Sequence, residues 1–219
     1  MRKRMRPDMV AAVDLVAVAV GPIFRNPWEP SEAVAASVEA AEALVGVAPQ
    51  GGGDMNLKRV IQHLSSGRAA VRRVFPRISL DAIERAIHTT ELQHDGQIRF
   101  AVEAGLDVMP LLAGQSAQQR AIEVFSQLRI WDTEQNNGVL IYLLLADRDV
   151  EIIADRGFNA KLGKEVWEQI CHTMEAAFRE GKFEQGVIAG IHSISRLLAQ
   201  HYPPVGSNTN ELADQAVVL

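Results

Sequence analysis

The chain has 219 residues, 47% of them hydrophobic and 22% charged, a composition typical of one well-buried soluble domain plus an appendage. The 22 Lys and Arg residues against 27 Asp and Glu give a net charge of −5, so charge provides no reason to expect nucleic acid or an anionic membrane as the main partner. The single cysteine, Cys171, excludes an internal disulfide and any multi-cysteine metal site.

Residues 1–54 form a low-complexity extension rich in Ala and Val. Their basic start and the apolar run at residues 10–20 resemble a secretory leader, but Asp14 interrupts the run. No other uncharged apolar stretch approaches the roughly 18 to 20 residues that a membrane-spanning helix needs. The sequence therefore predicts no transmembrane segment.

Three consecutive glycines, Gly51 to Gly53, precede Asp54 and Met55. A flexible linker is one interpretation of this run. Because every glycine codon begins with two guanines, a ribosome-binding site read in frame would give the same pattern. We hypothesise that Met55 is the authentic start and that residues 1–54 are translated upstream sequence. Peptides from residues 7–50 in the native protein, sought by mass spectrometry, would contradict this.

Four elements are predicted between Met55 and the middle of the chain. Apolar residues at helical spacing predict a first helix over 57–64, which ends at the Ser-Ser-Gly that follows. A second helix begins with Ser79 as its N-cap and runs to about Thr90. The alternation of polar and apolar residues over 97–104 predicts a strand with one packed face, and a third helix spans about 116–128.

The second half of the chain predicts a hairpin followed by two helices. The apolar run 139–145 suits a central strand covered on both faces, and the short turn after it lets 150–155 return antiparallel. Amphipathic stretches at 166–178 and 183–198 predict the two long helices. The element order implies an α/β fold, with a small mixed sheet between helices in a domain at 55–205. Residues 206–219 are predicted to be a flexible tail.

The loop before the hairpin holds four oxygen-bearing side chains within six residues: Asp132, Glu134, Asn136 and Asn137. Alternate side chains at this spacing can converge on a hard cation such as calcium. The alternative is a polar turn in which Asn137 and Gly138 supply the residues that tolerate positive φ. The spacing leaves both interpretations open.

Asp155 and Arg156 follow the second hairpin strand. Because the first hairpin strand starts just after the Asp132 loop, Asp155 is predicted to lie at the same end of the sheet as Asp132. The pair could contribute a carboxylate to a cation site, or it could form a plain ion pair. Glu91 and His94 have the Glu-x-x-His spacing of di-iron proteins, but there is no second copy and the strands exclude a four-helix bundle.

Four segments together resemble the TPM domain family, which includes thylakoid-lumen proteins linked to photosystem II repair and many bacterial proteins. They are ELQHDGQIRF from Glu91, WDTEQNNGVLIY from Trp131, VEIIADRG from Val150 and FREGKF from Phe178. The resemblance covers about 78–202, and the Asn-Asn-Gly block with its hairpin is the most specific part. It implies an α/β/α sandwich with helices on both faces.

Family resemblance also implies a function. Plant members are described as acid phosphatases, and members bind divalent cations through an acidic cluster at one end of the sheet. Asp132, Asn136 and Asn137 lie in the matching loop, and Asp155 ends the matching strand. The cofactor implied is a divalent cation, calcium or magnesium. Many members also carry a secretory signal and a C-terminal membrane helix, so this chain looks more like the short soluble bacterial branch.

The sequence favours a cation-binding interaction module whose partner is another protein, with membrane and envelope proteins among the candidates. A metal-assisted phosphomonoester hydrolase is the alternative, in which Arg156 and Arg148 would bind the phosphate anion. A plain scaffold that binds nothing tightly is the third possibility. The expected location is the bacterial cytoplasm, or outside it if residues 1–54 are a real leader.

Overall fold

The computed structural model describes residues 16–18, 57–158, 162–205 and 210–219. These residues form five strands and seven helices. The strands are β1 (Val16–Val18), β2 (Gln97–Glu103), β3 (Gly138–Leu144), β4 (Asp149–Ala154) and β5 (Val217–Val218). The helices are α1 (Leu57–Ser65), α2 (Arg68–Val74), α3 (Arg77–Glu91), α4 (Val108–Leu112), α5 (Ala117–Gln127), α6 (Lys164–Arg179) and α7 (Phe183–His201).

Most of the N-terminal extension lies outside the described residues, as does Met55 itself. The hypothesis of a start at Met55 and the alternative of a leader therefore stay predictions. The described part, β1, pairs antiparallel with β4, and Val16 lies opposite Ala154.

The strands form one mixed sheet in the order β1-β4-β3-β2-β5. β2 runs parallel to β3 and to β5, whereas β4 runs antiparallel to β3 and to β1. The register sets Gln97 opposite Gly138, and Val139 opposite Ala154. The predicted mixed sheet and its β3–β4 hairpin are thus confirmed.

Each face of the sheet packs against helices. Val139, Ile141 and Leu143 of β3 belong to a core that includes residues of α2, α3, α6 and α7. The alternate residues of β3 belong to a second core, with residues of α1, α4 and α5. Since side chains of a strand alternate between faces, one central strand serves both cores. The fold is an α/β/α sandwich, as the sequence implied.

All seven residues of β2 are buried, so the prediction of one packed face and one open face is wrong. Two of the three polar residues of β2, Gln97 and Glu103, are buried with hydrogen-bond partners. Gln97 accepts hydrogen bonds from two backbone N–H groups of the C-terminal segment, each at 3.0 Å. Glu103 accepts from Arg120 at 2.9 Å and from the Tyr142 hydroxyl at 2.6 Å. At Gln97 and Glu103 the alternating polarity therefore marks hydrogen-bonded positions rather than a solvent-facing side.

Helix starts were predicted with mixed success. α5 begins at Ala117, close to the predicted start, and Ser116 and Gln119 form a capping box that was not predicted. Ser79 is not an N-cap, because α3 already begins at Arg77, after Pro76, and Ser79 is buried in its first turn. The short helices α2 and α4 were not predicted.

Residues 210–219 correct the prediction of a flexible tail. β5 pairs with Ala101 and Val102 of β2, and the Leu219 N–H donates to the Val102 carbonyl at 3.0 Å. The segment thereby covers an edge of β2 that would otherwise be unpaired. Residues 206–209 lie outside the described part of the chain.

Asp147, in the turn between β3 and β4, anchors α1 to the sheet. Its carboxylate accepts from Arg59 at 2.8 Å and from His63 Nε2 at 2.8 Å. Because His63 Nδ1 accepts the Leu106 N–H at 2.9 Å, the proton of the neutral ring lies on Nε2 and points to Asp147. Burial alone would raise the pKa of Asp147, but these two partners outweigh it and lower the pKa to about 2.

Replacing Asp147 with Asn is expected to lower the free energy of unfolding by about 2 kcal/mol at pH 7. The folded pKa lies below the ordinary value, so this contribution is present above about pH 4 and is lost as the pH falls toward 2. Urea denaturation across this range measures the difference between wild type and variant.

The control is Asp81→Asn, which removes an exposed ion pair with Arg77 and should change stability by less than about 0.5 kcal/mol. A difference for Asp147→Asn that stayed constant down to pH 2 would contradict the assignment.

Candidate cation-binding site

One end of the sheet is formed by the starts of β2 and β3 and the end of β4. Here the Gln97 N–H donates to the Asn137 carbonyl at 3.3 Å, and the Asp155 N–H donates to the Gly138 carbonyl at 2.9 Å. Asp155 therefore lies beside the start of β3. The loop that contains Asp132 ends at the same point, so the predicted meeting of these two segments is confirmed.

The loop before β3 contains the turn that the sequence suggested, but at a different residue. Asn136 has the positive φ, 52°, rather than Asn137 or Gly138. Asn tolerates this conformation better than most residues. Gly138 is required for another reason: a Cβ at this position would overlap the backbone oxygen and side chain of Ile130.

Asn137 is fully buried and holds the loop against the start of β2. Its backbone N–H donates to the Thr133 hydroxyl at 3.1 Å, and its side-chain Nδ2 donates to the Asp95 carbonyl at 3.0 Å. The remaining polar atom, Oδ1, is buried with no hydrogen-bond partner among the described residues. A buried amide oxygen without a partner is a costly feature, which an ordered water or a bound ion would relieve.

Asp155 is 1% exposed and presents a second such oxygen. Its Oδ1 accepts the Arg156 N–H at 2.6 Å, whereas Oδ2 has no partner within the described segments. Burial raises the pKa of Asp155, although its hydrogen bond with Arg156 and the positive charge of that residue oppose the shift. Burial and the nearby Asp155 charge also raise the pKa of Tyr202.

Arg156 does not form the ion pair that was the alternative for Asp155. Its guanidinium Nε instead donates to Asn136 Oδ1 at 2.9 Å. No Asp155–Arg156 side-chain pair occurs among the ion pairs of the described residues. The Asp155 carboxylate thus has no ion-pair partner among the described residues, although burial disfavours its negative charge.

The other two predicted ligands, Asp132 and Glu134, have exposed side chains on the outer part of the loop. The Glu134 backbone N–H donates to the Glu211 carboxylate at 2.9 Å. Across the described ranges, no three His, Cys, Asp or Glu side chains are grouped to hold a metal. A cation here would therefore rely on the amide and carboxylate oxygens of Asn137 and Asp155.

Glu91 and His94 lie near the start of β2 but have backbone partners. Glu91 Oε1 accepts the Ile98 N–H at 2.7 Å, and His94 Nδ1 donates to the Gly96 carbonyl at 3.0 Å. Burial lowers the pKa of His94 and thus favours its neutral ring. These contacts give both residues a structural role in the turn that leads into β2.

Arg148 cannot act together with Arg156 as an anion clamp. Arg148 lies in the turn that precedes β4, with a φ of 56°, whereas Arg156 follows the end of β4. A strand of this length separates the two by about 20 Å. The two arginines therefore cannot contact one small anion such as phosphate together, and anion binding by either one alone stays a prediction.

Three residues of the site were not predicted. Thr133 and Asp95 bind Asn137, and Asp95 Oδ2 also accepts the Val205 N–H at 2.9 Å. Tyr202 packs edge-on against Phe158 with ring centroids 5.1 Å apart. Asp95 precedes Gly96 in a common turn sequence, and Tyr202 follows the end of a helix. Neither residue belongs to a sequence pattern that indicates a binding site.

A profile of the TPM domain matches residues 72–197, more than half of the chain. The chain belongs to the TPM domain family. Among solved structures, it is similar to the NMR structure of the BA42 protein from the psychrophilic bacterium Bizionia argentinensis, with 28% identity and a TM-score of 0.58. That match covers 64% of this chain and 92% of BA42. No curated protein matches.

Over its described part, this TPM domain protein has no helix both long and apolar enough to span a membrane. The matched region contains the site residues from Glu91 to Asp155, whereas Tyr202 lies beyond its end. The region also ends before the C-terminal segment that carries β5.

Replacing Gly138 with Ala is expected to lower the free energy of unfolding by about 3 kcal/mol, because the added methyl group meets backbone that cannot move aside cheaply. Chemical denaturation measures the change. Gly67→Ala is the matched control, since a Cβ at Gly67 meets nothing within 4 Å, and it should cost less than about 1 kcal/mol. Equal costs at the two positions would show that the close approach to Ile130 is unimportant.

Proposed function

We propose that this TPM domain binds a divalent cation at the sheet end formed by Asn137 and Asp155, and that the bound cation fixes a surface that meets a protein partner. The observation that supports the proposal is the pair of buried oxygen atoms without partners in the described residues, Asn137 Oδ1 and Asp155 Oδ2. Calcium and magnesium prefer carboxylate and amide oxygens. Both donor types are present in the pair.

The charge of the site also suits a cation. The Arg156 guanidinium donates to Asn136 rather than to the Asp155 side chain. A divalent ion would therefore supply the positive partner that the buried Asp155 carboxylate lacks. It would also hold the loop of residues 131–137 against the end of β4. With two buried protein oxygens and water completing the shell, we expect weak binding, with a Kd of about 10⁻⁴ to 10⁻³ M.

Two exposed apolar side chains flank this end and favour a protein partner. Trp131 begins the loop and is 43% exposed, and Val205, bonded through its N–H to Asp95, is 79% exposed. Tryptophan is enriched in protein interfaces, where it often carries much of the binding energy. A cation that orders the loop would thus order the surface on which Trp131 lies. Membrane and envelope proteins are the partners that the family resemblance favours.

Isothermal titration of the full chain with calcium, magnesium and manganese tests the proposal. Wild type should bind at least one of these ions in the stated range. Asp155→Asn should weaken binding at least tenfold, because it removes the buried charge. Asp107→Asn is the matched control, since Asp107 is exposed near the opposite end of the sheet and should leave the affinity unchanged.

Absence of binding at millimolar ion, or equal affinities of wild type and Asp155→Asn, would contradict the proposal. A phosphomonoester hydrolysis assay on the same proteins separates the hydrolase alternative. If the domain is an interaction module, wild type should show no phosphomonoester hydrolysis that depends on the cation and is lost in Asp155→Asn. Hydrolysis that requires both the ion and Asp155 would contradict the interaction module and support the hydrolase.

A further inference from the structure

The negative net charge of the chain conceals a basic segment. Residues 55–80 contain six Lys and Arg residues and no Asp or Glu, whereas the whole chain has a net charge of −5. Four of the six lie on α2 and at the start of α3, and they are called the arginine patch below: Arg68, Arg72, Arg73 and Arg77. Charge of one sign, concentrated in a chain of the opposite net charge, indicates an anionic partner for that segment.

The arginine patch is exposed along one side of α2. Arg68, Arg72 and Arg73 are exposed, whereas Val71 is fully buried in the core beneath the helix. At about 100° per residue, the three arginines fall within an arc of about 140° around the helix axis. Arg77 is the first residue of α3, and its side chain is 69% exposed. The patch therefore faces water rather than the core.

The fold leaves most of this charge without a negative partner. No ion pair of the described residues includes Arg68, Arg72 or Arg73. Arg77 pairs with Asp81 at 2.8 Å, in a contact that is open to solvent and therefore weak. Three positive charges thus remain for a partner.

Helix electrostatics explains only half of the patch. Arg72 and Arg73 lie in the last turn of α2, where the helix dipole favours positive side chains. Arg68 and Arg77 are instead the first residues of α2 and α3, where the dipole favours negative side chains, and neither first turn contains an acidic residue. Arg68 and Arg72 also have the i,i+4 spacing at which like charges destabilise a helix. An anionic partner would relieve both features.

Exposed aliphatic side chains flank the patch on both sides. Ile78 follows Arg77 and is 72% exposed, and Leu64, which precedes Arg68 in the chain, is 61% exposed. Phe75, the one aromatic residue of the segment 55–80, is 1% exposed, so it offers no ring for stacking on nucleic-acid bases. Basic side chains beside exposed aliphatic ones suit an anionic lipid surface, where the charges contact headgroups and the aliphatic groups enter the boundary of the acyl chains.

We propose that the arginine patch, together with Ile78, binds the anionic surface of a lipid bilayer. The binding is peripheral, and it places α2 and the start of α3 against the headgroups. Each arginine near such a surface contributes about a factor of five in affinity, so the four predict half-maximal binding at about 1 mM accessible lipid. The surface includes neither Asn137 nor Asp155, so the proposal is independent of the cation-binding site.

Flotation of the full chain with lipid vesicles tests the proposal. One set of vesicles contains phosphatidylcholine with about 30% anionic phosphatidylglycerol, and the other set contains phosphatidylcholine alone. EDTA is present throughout, so the cation-binding site does not contribute. Wild type should bind the anionic vesicles at about 0.1 M salt and lose at least about tenfold in affinity at about 1 M salt, because the ions screen the headgroup charge. It should bind the uncharged vesicles at least about tenfold more weakly than the anionic ones.

Three variants separate the contributions. Arg72→Gln/Arg73→Gln should weaken binding to anionic vesicles about twentyfold, because two charges are removed. Ile78→Ser should weaken it at least about threefold, because the inserted aliphatic group is lost. Arg129→Gln is the matched control, since Arg129 is exposed but follows α5, which packs on the other face of the sheet, and it should change the affinity less than about twofold. All four side chains are exposed, so each variant should keep the unfolding midpoint of wild type.

Equal binding of wild type to the two sets of vesicles, no binding at millimolar lipid, or equal losses in Arg72→Gln/Arg73→Gln and Arg129→Gln would overturn the proposal. A DNA duplex and a polyglutamate peptide are the probes for the other anionic partners. Binding to either probe that depends on Arg72 and Arg73, without binding to anionic vesicles, would assign the patch to that class of partner instead. Vesicle binding that is unchanged in Ile78→Ser would also contradict the proposed surface.

Discussion

Two consecutive carbonyl groups, those of Asn137 and Gly138, tie three strands together at one end of the sheet. The first accepts from Gln97 at the start of β2, and the second accepts from Asp155 at the end of β4. These bonds set the register of the parallel and the antiparallel pair at the same point. Because backbone pairing fixes the positions of Asn137 and Asp155, both side chains are buried although they are polar. The candidate site is a consequence of the strand register.

The opposite end of the sheet shows how this fold treats buried charge when no ligand is needed. Asp147 is bonded to Arg59 and His63, and Glu103 is bonded to Arg120 and Tyr142. Each of these carboxylates has a positive or hydrogen-donating partner, which is the usual condition for burying a charge. Asp155 and Asn137 differ from these two carboxylates because one oxygen of each has no partner in the described part of the chain, a property that they share with Glu151 Oε2. What sets Asn137 and Asp155 apart from Glu151 is that their segments meet at one end of the sheet, and the proposed cation rests on that meeting.

The sequence predicted the parts of the fold that local patterns determine. The apolar run of β3, its return as β4 and the helix over about 116–128 depend on neighbouring residues, and all three are confirmed. The predictions for β2 and the C-terminal segment were wrong because the two depend on each other: Gln97 is polar but buried, and it is bonded by the segment that lies beside it. Likewise, spacing along the chain grouped Asp132 and Glu134 with Asn137, although burial separates them. Arg148 and Arg156 were both predicted to bind a phosphate anion, but a full strand lies between them.

The central claim is that Asn137 Oδ1 and Asp155 Oδ2 share one cation. A crystal structure of the full chain grown with calcium tests it most directly. The account predicts one ion about 2.3–2.6 Å from both oxygen atoms, with water completing its coordination. An ion bound by Asp132 or Glu134 on the outer loop, or no ion at this end of the sheet at millimolar calcium, would contradict it.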